Sequence, residues 1–212
     1  MKKTLSILLL SILSIGLFMI APAESHNYLT EIRAPAGYMH DIEVRVAHGC
    51  LGSSVNEVRI KIPEGIYEVR IFHNRNWETE TKMRQVDPPV VGGFGRKITE
   101  TVDEIVWKNP TSPIPDMMIE GFRFRAKLPN EPGRILFFKT LNQCEEGDDN
   151  YIDLPESNIN INDEDFDQKF MSFMAATATP SPYLVLYKSE FPQYPWEWDT
   201  QEIRDAAVAK AN

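Results

Sequence analysis

Apolar side chains in this chain recur at every second residue. Ile42, Val44 and Val46 alternate with Glu43 and Arg45; Val58, Ile60 and Ile62 alternate with Arg59 and Lys61; Phe122 and Phe124 alternate with Arg123 and Arg125. Successive side chains of an extended strand point to opposite faces, so a period of two makes strands with one buried and one wetted face. Residues 67–72, 97–107, 134–141 and 183–188 are further strand candidates. Turn sequences such as Pro63-Glu64-Gly65 and Pro129-Asn130-Glu131-Pro132-Gly133 separate them. About seven short half-buried strands joined in this way predict an all-β fold, an antiparallel β-sandwich.

The amino terminus has a different texture. Lys2 and Lys3 precede an apolar run from residue 5 to 20, then Ala21-Pro22-Ala23-Glu24-Ser25-His26. Basic start, apolar middle and small-residue end are the three parts of an export signal, and the run is short for a bilayer span of about 20 residues. Cleavage after Ser25 uses Ala23 and Ser25 as the small residues and leaves His26 first; cleavage after Ala23 leaves Glu24 first. The expected organisation is a signal peptide over residues 1–25, a sandwich over 26–190 and a tail over 191–212. Loss of residues 1–25 removes Lys2, Lys3 and Glu24, moving the formal charge from -9 to about -10.

An acidic chain without a basic patch is a poor nucleic-acid binder, and its length suffices for one real core. Acidity attracts cations without choosing among them. Cys50 and Cys144 form an even pair, which in an exported protein reads as a disulfide; a soft thiolate site for cuprous copper is the competing reading. Residues 158–178 read as an irregular insertion able to pack through Phe170, Met171, Phe173 and Met174. Residues 200–210 read as a short helix in the tail, which also carries Trp196 and Trp198, a pair suited to docking or lipid contact. Trp77 and Trp107 read as core aromatics. His48 reads as a turn or packing histidine, and His40 and His73 as surface residues. Met117 and Met118, being adjacent, point apart on a strand and suit packing rather than a cuprous site.

His26, Ala34-Pro35-Ala36-Gly37-Tyr38, Arg45-Val46-Ala47-His48-Gly49-Cys50 and Ile62-Pro63-Glu64-Gly65 stand in this order. They are followed by Asn76-Trp77, Val106-Trp107, Phe122-Arg123-Phe124, Leu128-Pro129, Gln143-Cys144-Glu145-Glu146-Gly147 and Asp153-Leu154-Pro155. This succession, from His26 to Lys188, resembles the YcnI-like family of exported bacterial copper-binding proteins. The resemblance favours the cut before His26. It implies an immunoglobulin-like sandwich that binds Cu(II) through a processed amino-terminal histidine, a glutamate completing the coordination and a tryptophan packing over the metal.

Such a site is chemically sensible, because an α-amine and the Nδ1 of one histidine close a chelate ring and Cu(II) favours nitrogen and oxygen donors. Two positions depart from the family pattern. Tyr151 stands where the tryptophan is expected, giving a more polar lid or an axial phenol. Gly121 stands where the acidic ligand is expected, and the neighbouring Glu120 faces the other side of the strand unless a bulge realigns it. Asp153 and Glu145 are alternative oxygen donors. The resemblance therefore implies His26, Glu120, Tyr151 and Asp153 as metal residues. It also implies an exported, periplasmic or envelope-associated carrier that buffers or transfers Cu(II) without turnover. Another exported copper chaperone or a membrane copper transporter would be its partner.

Two rival readings belong to other classes. A copper-dependent redox enzyme with a two-histidine brace needs His40 or His48 to face His26. A structural or adhesive sandwich would be indifferent to removal of His26.

Overall fold

The computed structural model describes residues 26–157 and 159–190. The expected leader, the tail helix over 200–210, Trp196 and Trp198 lie outside the described residues. Twelve strands, a single 3-10 turn and one α-helix are described, and nearly all strand pairs are antiparallel. The expected all-β sandwich is what the chain forms.

One sheet has the order β1-β3-β8-β5, built from β1 (Tyr28–Leu29), β3 (Met39–Val46), β8 (Glu120–Lys127) and β5 (Tyr67–Ile71). The second has the order β11-β10-β4-β7-β6. Its strands are β11 (Asp148–Tyr151), β10 (Thr140–Cys144), β4 (Val55–Lys61), β7 (Lys97–Lys108) and β6 (Glu78–Val91). A small third sheet joins β2 (Arg33–Pro35), β12 (Tyr183–Tyr187) and β9 (Ile135–Phe137), with β2 and β12 parallel.

The alternation seen in the sequence sets which faces meet. Ile42, Val44, Val46, Phe122, Phe124 and Ala126 from the first sheet pack in one cluster with Val58, Ile60, Ile105 and Trp107 from the second. Trp107 lies 5.2 Å from Phe122 between ring centroids, and Trp77 meets the same ring edge-on at 5.0 Å. Both tryptophans are core residues, as expected. Aromatic contacts of this kind add about 1 kcal/mol each beyond the area they bury.

Four expectations need correction. Residues 134–141 do not form one strand: β9 pairs with β12, whereas β10 pairs with β4 and β11 in another sheet. Residues 158–178 are not irregular throughout, since an α-helix, α1 (Phe166–Ala176), packs Phe173 against Phe137 and Phe170 against Tyr183. Met117 and Met118 lie on a loop and are 91% and 59% exposed, so they are not packing residues. His40 is half-buried, with Nε2 3.5 Å from Glu31, whereas His73 is exposed as expected.

Candidate metal centre

His26 lies just before β1, at the end of the sandwich where the two large sheets are tied together. Asn27 is buried and exchanges two side-chain hydrogen bonds with the buried Asn142 of β10: Nδ2 of Asn27 donates to Oδ1 of Asn142 at 3.0 Å, and the reverse bond is 3.2 Å. Each amide satisfies the other, and removing either leaves a buried polar group costing about 1–3 kcal/mol. The pair holds the segment carrying His26 against the second sheet.

Beside it the Cys50–Cys144 disulfide joins the β3–β4 connection to the end of β10, with Cα atoms 6.0 Å apart and a sequence separation of 94. The two sulfurs are spent on each other, so the thiolate site is not formed. In the chain-entropy account, closing a loop of this length stabilises by about 4–5 kcal/mol. Gly49 is needed here: a Cβ on it would fall 1.9 Å from the backbone oxygen of Ser53. Its N–H donates to Asp116, to Oδ1 at 3.1 Å and to the backbone oxygen at 3.3 Å.

These ties bring His26, Tyr151 and His48 together. Tyr151, on β11, is buried, and its ring meets that of His26 edge-on at 5.9 Å and 70°. The phenol oxygen is 3.1 Å from Nε2 of His48, and the two rings stand 6.5 Å apart. Nδ1 of His48 is within hydrogen-bond distance of the Gly49 carbonyl and 3.9 Å from Asp149. A carbonyl can only accept, so Nδ1 donates to it, and in the neutral ring Nε2 then accepts the Tyr151 O–H. His48 is thus the turn histidine expected beside the disulfide, and it also anchors Tyr151.

The two acids are placed differently. Glu120 begins β8 opposite Val46, and the β3–β8 ladder runs from Met39 to Val46 without a register shift, so no bulge occurs at Gly121. Glu120 therefore shares the inward row with Phe122 and Phe124, while Gly121 faces outward against Glu43. β3 separates β1 from β8, so the backbones carrying His26 and Glu120 stand about two strand spacings, roughly 10 Å, apart. Asp153 is engaged elsewhere: its Oδ2 accepts from the hydroxyls of Thr177 and Thr179, the latter at 2.9 Å. These bonds, first that of Thr177 and then that of Thr179, hold its carboxyl below the usual carboxylate range. Glu145, Glu146, Asp148 and Asp149 lie on and beside the β10–β11 turn and make this end electronegative. Among the described residues, no three His, Cys, Asp or Glu side chains gather as a ready ligand set.

Residues 26–168 match the family described as domain of unknown function DUF1775, to which the YcnI-like proteins belong. The chain belongs to this family. The match begins at His26. An uncharacterized protein from Nocardia farcinica with an immunoglobulin-like fold is 13% identical and superposes with a TM-score of 0.52 over 77% of this chain and 99% of its own. That likeness gives the DUF1775 domain its immunoglobulin-like fold. A putative membrane anchored protein from Corynebacterium diphtheriae is 11% identical over 82% of this chain and 38% of its own length, with a TM-score of 0.36. No curated protein matches the chain.

Asn27 and Asn142 carried no signal in the sequence, because an amide pair separated by 115 residues is created by topology alone. His48 did carry one, its place two residues before Cys50, but nothing in that spacing tells that Tyr151 arrives at its Nε2.

Proposed function

We propose that the mature chain begins at His26, binds one Cu(II) there and buffers the ion or passes it on in the cell envelope, without turnover. One observation carries the reading: His26, at which the family match begins, lies edge-on to the buried Tyr151, whose phenol His48 anchors. With no ready cluster of three ligating side chains among the described residues, the site relies on the α-amine for a second nitrogen. That donor exists only when the chain is cut before His26. Its proton must leave for copper to bind, so affinity falls as pH falls below about 8.

Tyr151 acts as the lid, closing one side of the imidazole as the tryptophan does in relatives. Glu120 is the oxygen donor this reading prefers, although no bulge turns it to the face of Gly121, because it opens β8 opposite Val46 at the His26 end of the sheet, whereas Asp153 already holds Thr177 and Thr179. The disulfide supports export to an oxidising compartment. The acidic turn at the same end draws cations toward the site. An exported copper chaperone or a membrane copper transporter is the partner on this reading.

The test is a pair of calorimetric Cu(II) titrations, on the mature protein and on a variant with one glycine ahead of His26. The variant keeps the fold and moves the amine off the imidazole. Loss of the tight site supports the proposal, and unchanged affinity refutes it.

A further inference from the structure

The opposite end of the sandwich carries a feature that copper binding does not use. β6 and β7 form a hairpin in which Val91 pairs with Lys97 and Glu78 with Lys108. Lys108 lies opposite Glu57, two residues from Val55, the partner of Cys144. The strand β7 is 12 residues long, so its apex lies about 36 Å from the disulfide end.

At the apex Phe94 is 101% exposed and Val91 is 79% exposed. Phe94 has φ +56°, the left-handed region that a bulky side chain avoids. The conformation is held from below by Glu68, itself at φ +53° where the β5–β8 register shifts. Its carboxylate accepts the Gly93 N–H at 3.2 Å and a guanidinium N–H of Arg96 at 2.6 Å, and Gly92 N–H donates to the Arg96 carbonyl at 2.8 Å. Two strained residues thus cooperate to project one phenyl ring into solvent. Backbone strain of this kind persists where the surroundings over-determine it.

Cations outnumber acids around the ring. Between Asp87 and Glu100 the hairpin carries Arg96 and Lys97; Arg96 is paired with Glu68, which leaves Lys97, among the described residues, as the unpaired charge of the tip, in a chain of formal charge -9. Arg70 and Lys127 line the hollow under the apex, where Glu68 is committed to Arg96 and Gly93. An exposed aromatic tip with an aliphatic neighbour and a basic collar matches an anionic lipid surface: apolar side chains enter the acyl boundary while the cations stay among the headgroups. A stable protein interface covers about 800 Å² and 20–30 residues on each side, which a projecting apex of a few residues does not offer.

We propose that the β6–β7 apex, through Phe94 and Val91, docks this domain on an anionic membrane surface and leaves the His26 end directed away from it. The proposal is independent of the copper reading, and its test involves no metal.

The exported protein is sedimented with phosphatidylglycerol/phosphatidylcholine vesicles and with phosphatidylcholine vesicles alone. Binding to the anionic vesicles that weakens in high salt is expected. Phe94→Ser should weaken it about tenfold, the effect of withdrawing one phenyl ring from an apolar phase. Phe94→Trp should bind at least as well as the unaltered chain. Lys97→Glu should weaken binding, and Leu51→Ser, at the far end, should leave it unchanged. Absence of vesicle binding, equal binding to neutral vesicles, or retention of full binding by Phe94→Ser overturns the proposal. Failure of Phe94→Trp to bind while its melting temperature is normal also overturns it, and points to a shape-selective protein partner.

Discussion

Each end of the sandwich displays a large apolar side chain on left-handed backbone, Leu51 at one and Phe94 at the other, but the two are held in opposite ways. Leu51, 99% exposed at φ +51°, follows Cys50 of the disulfide, in a turn where Gly49 has no room for a methyl group. The Asn27–Asn142 pair and the His48–Tyr151 bond lie at the same end. Phe94 is held by one carboxylate, one guanidinium and glycines, of which Gly95 has open space around it. One end is locked covalently and by buried polar pairs, and the other is braced by exposed ones. On the proposed readings, a copper site needs donors fixed to within a fraction of an ångström, whereas a membrane-docking tip needs projection and tolerates adjustment.

The contrast can be tested from the locked end outward. Replacing Cys50 and Cys144 together by alanine should lower unfolding free energy by about 4 kcal/mol in urea titrations, while apex amides exchange as before. Gly49→Ala should cost about 3 kcal/mol, because its Cβ meets the backbone of Ser53 at 1.9 Å. Gly95→Ala, at φ +73° with nothing nearby, should cost only about 1 kcal/mol, and equal losses at the two glycines would erase the distinction. Glu68→Gln should lower the melting temperature only slightly, since its partner Arg96 is 58% exposed and solvent-screened pairs contribute about 0–1 kcal/mol, yet hasten hydrogen exchange at Gly93.

The smallest expected effect involves His40, at the apex end of β3. Burial lowers its pKa, against the opposing pull of Glu31 and Asp41. The unfolded chain therefore takes up the proton first, and stability is lost as pH falls from about 6.5 toward the lower folded value. His40→Asn should flatten that part of the stability profile while leaving the disulfide end unaltered.

The sandwich was legible where strands are half-buried, and the misreadings have identifiable causes. β6 escaped notice because it is an edge strand in which Val86 is the one buried residue, and charges line its remainder, as edge strands commonly require. In β9 and β10 the apolar run Ile135-Leu136-Phe137-Phe138 breaks the period of two just where the chain leaves one sheet for another. The helix α1 did leave a trace: Phe166, Phe170 and Phe173 are spaced i, i+4, i+7, the helical period. Within the candidate site, His26 and Tyr151 were nominated by resemblance and the fold places them side by side. Glu120 came with the condition of a bulge at Gly121, and the ladder contains none, so ordinary alternation leaves it on the face opposite that of Gly121. The buried amide pair and the bond from Tyr151 to His48 depend on long-range topology, which no local pattern encodes.

The most direct measurement of the central claim is intact mass of the exported protein followed by electron paramagnetic resonance at one equivalent of Cu(II). The predicted result is a chain starting at His26 with one nitrogen-coordinated cupric centre, whose spectrum changes when Tyr151 is replaced by phenylalanine or Glu120 by glutamine. A chain starting at Glu24, or one starting at His26 that holds no tight copper, contradicts it.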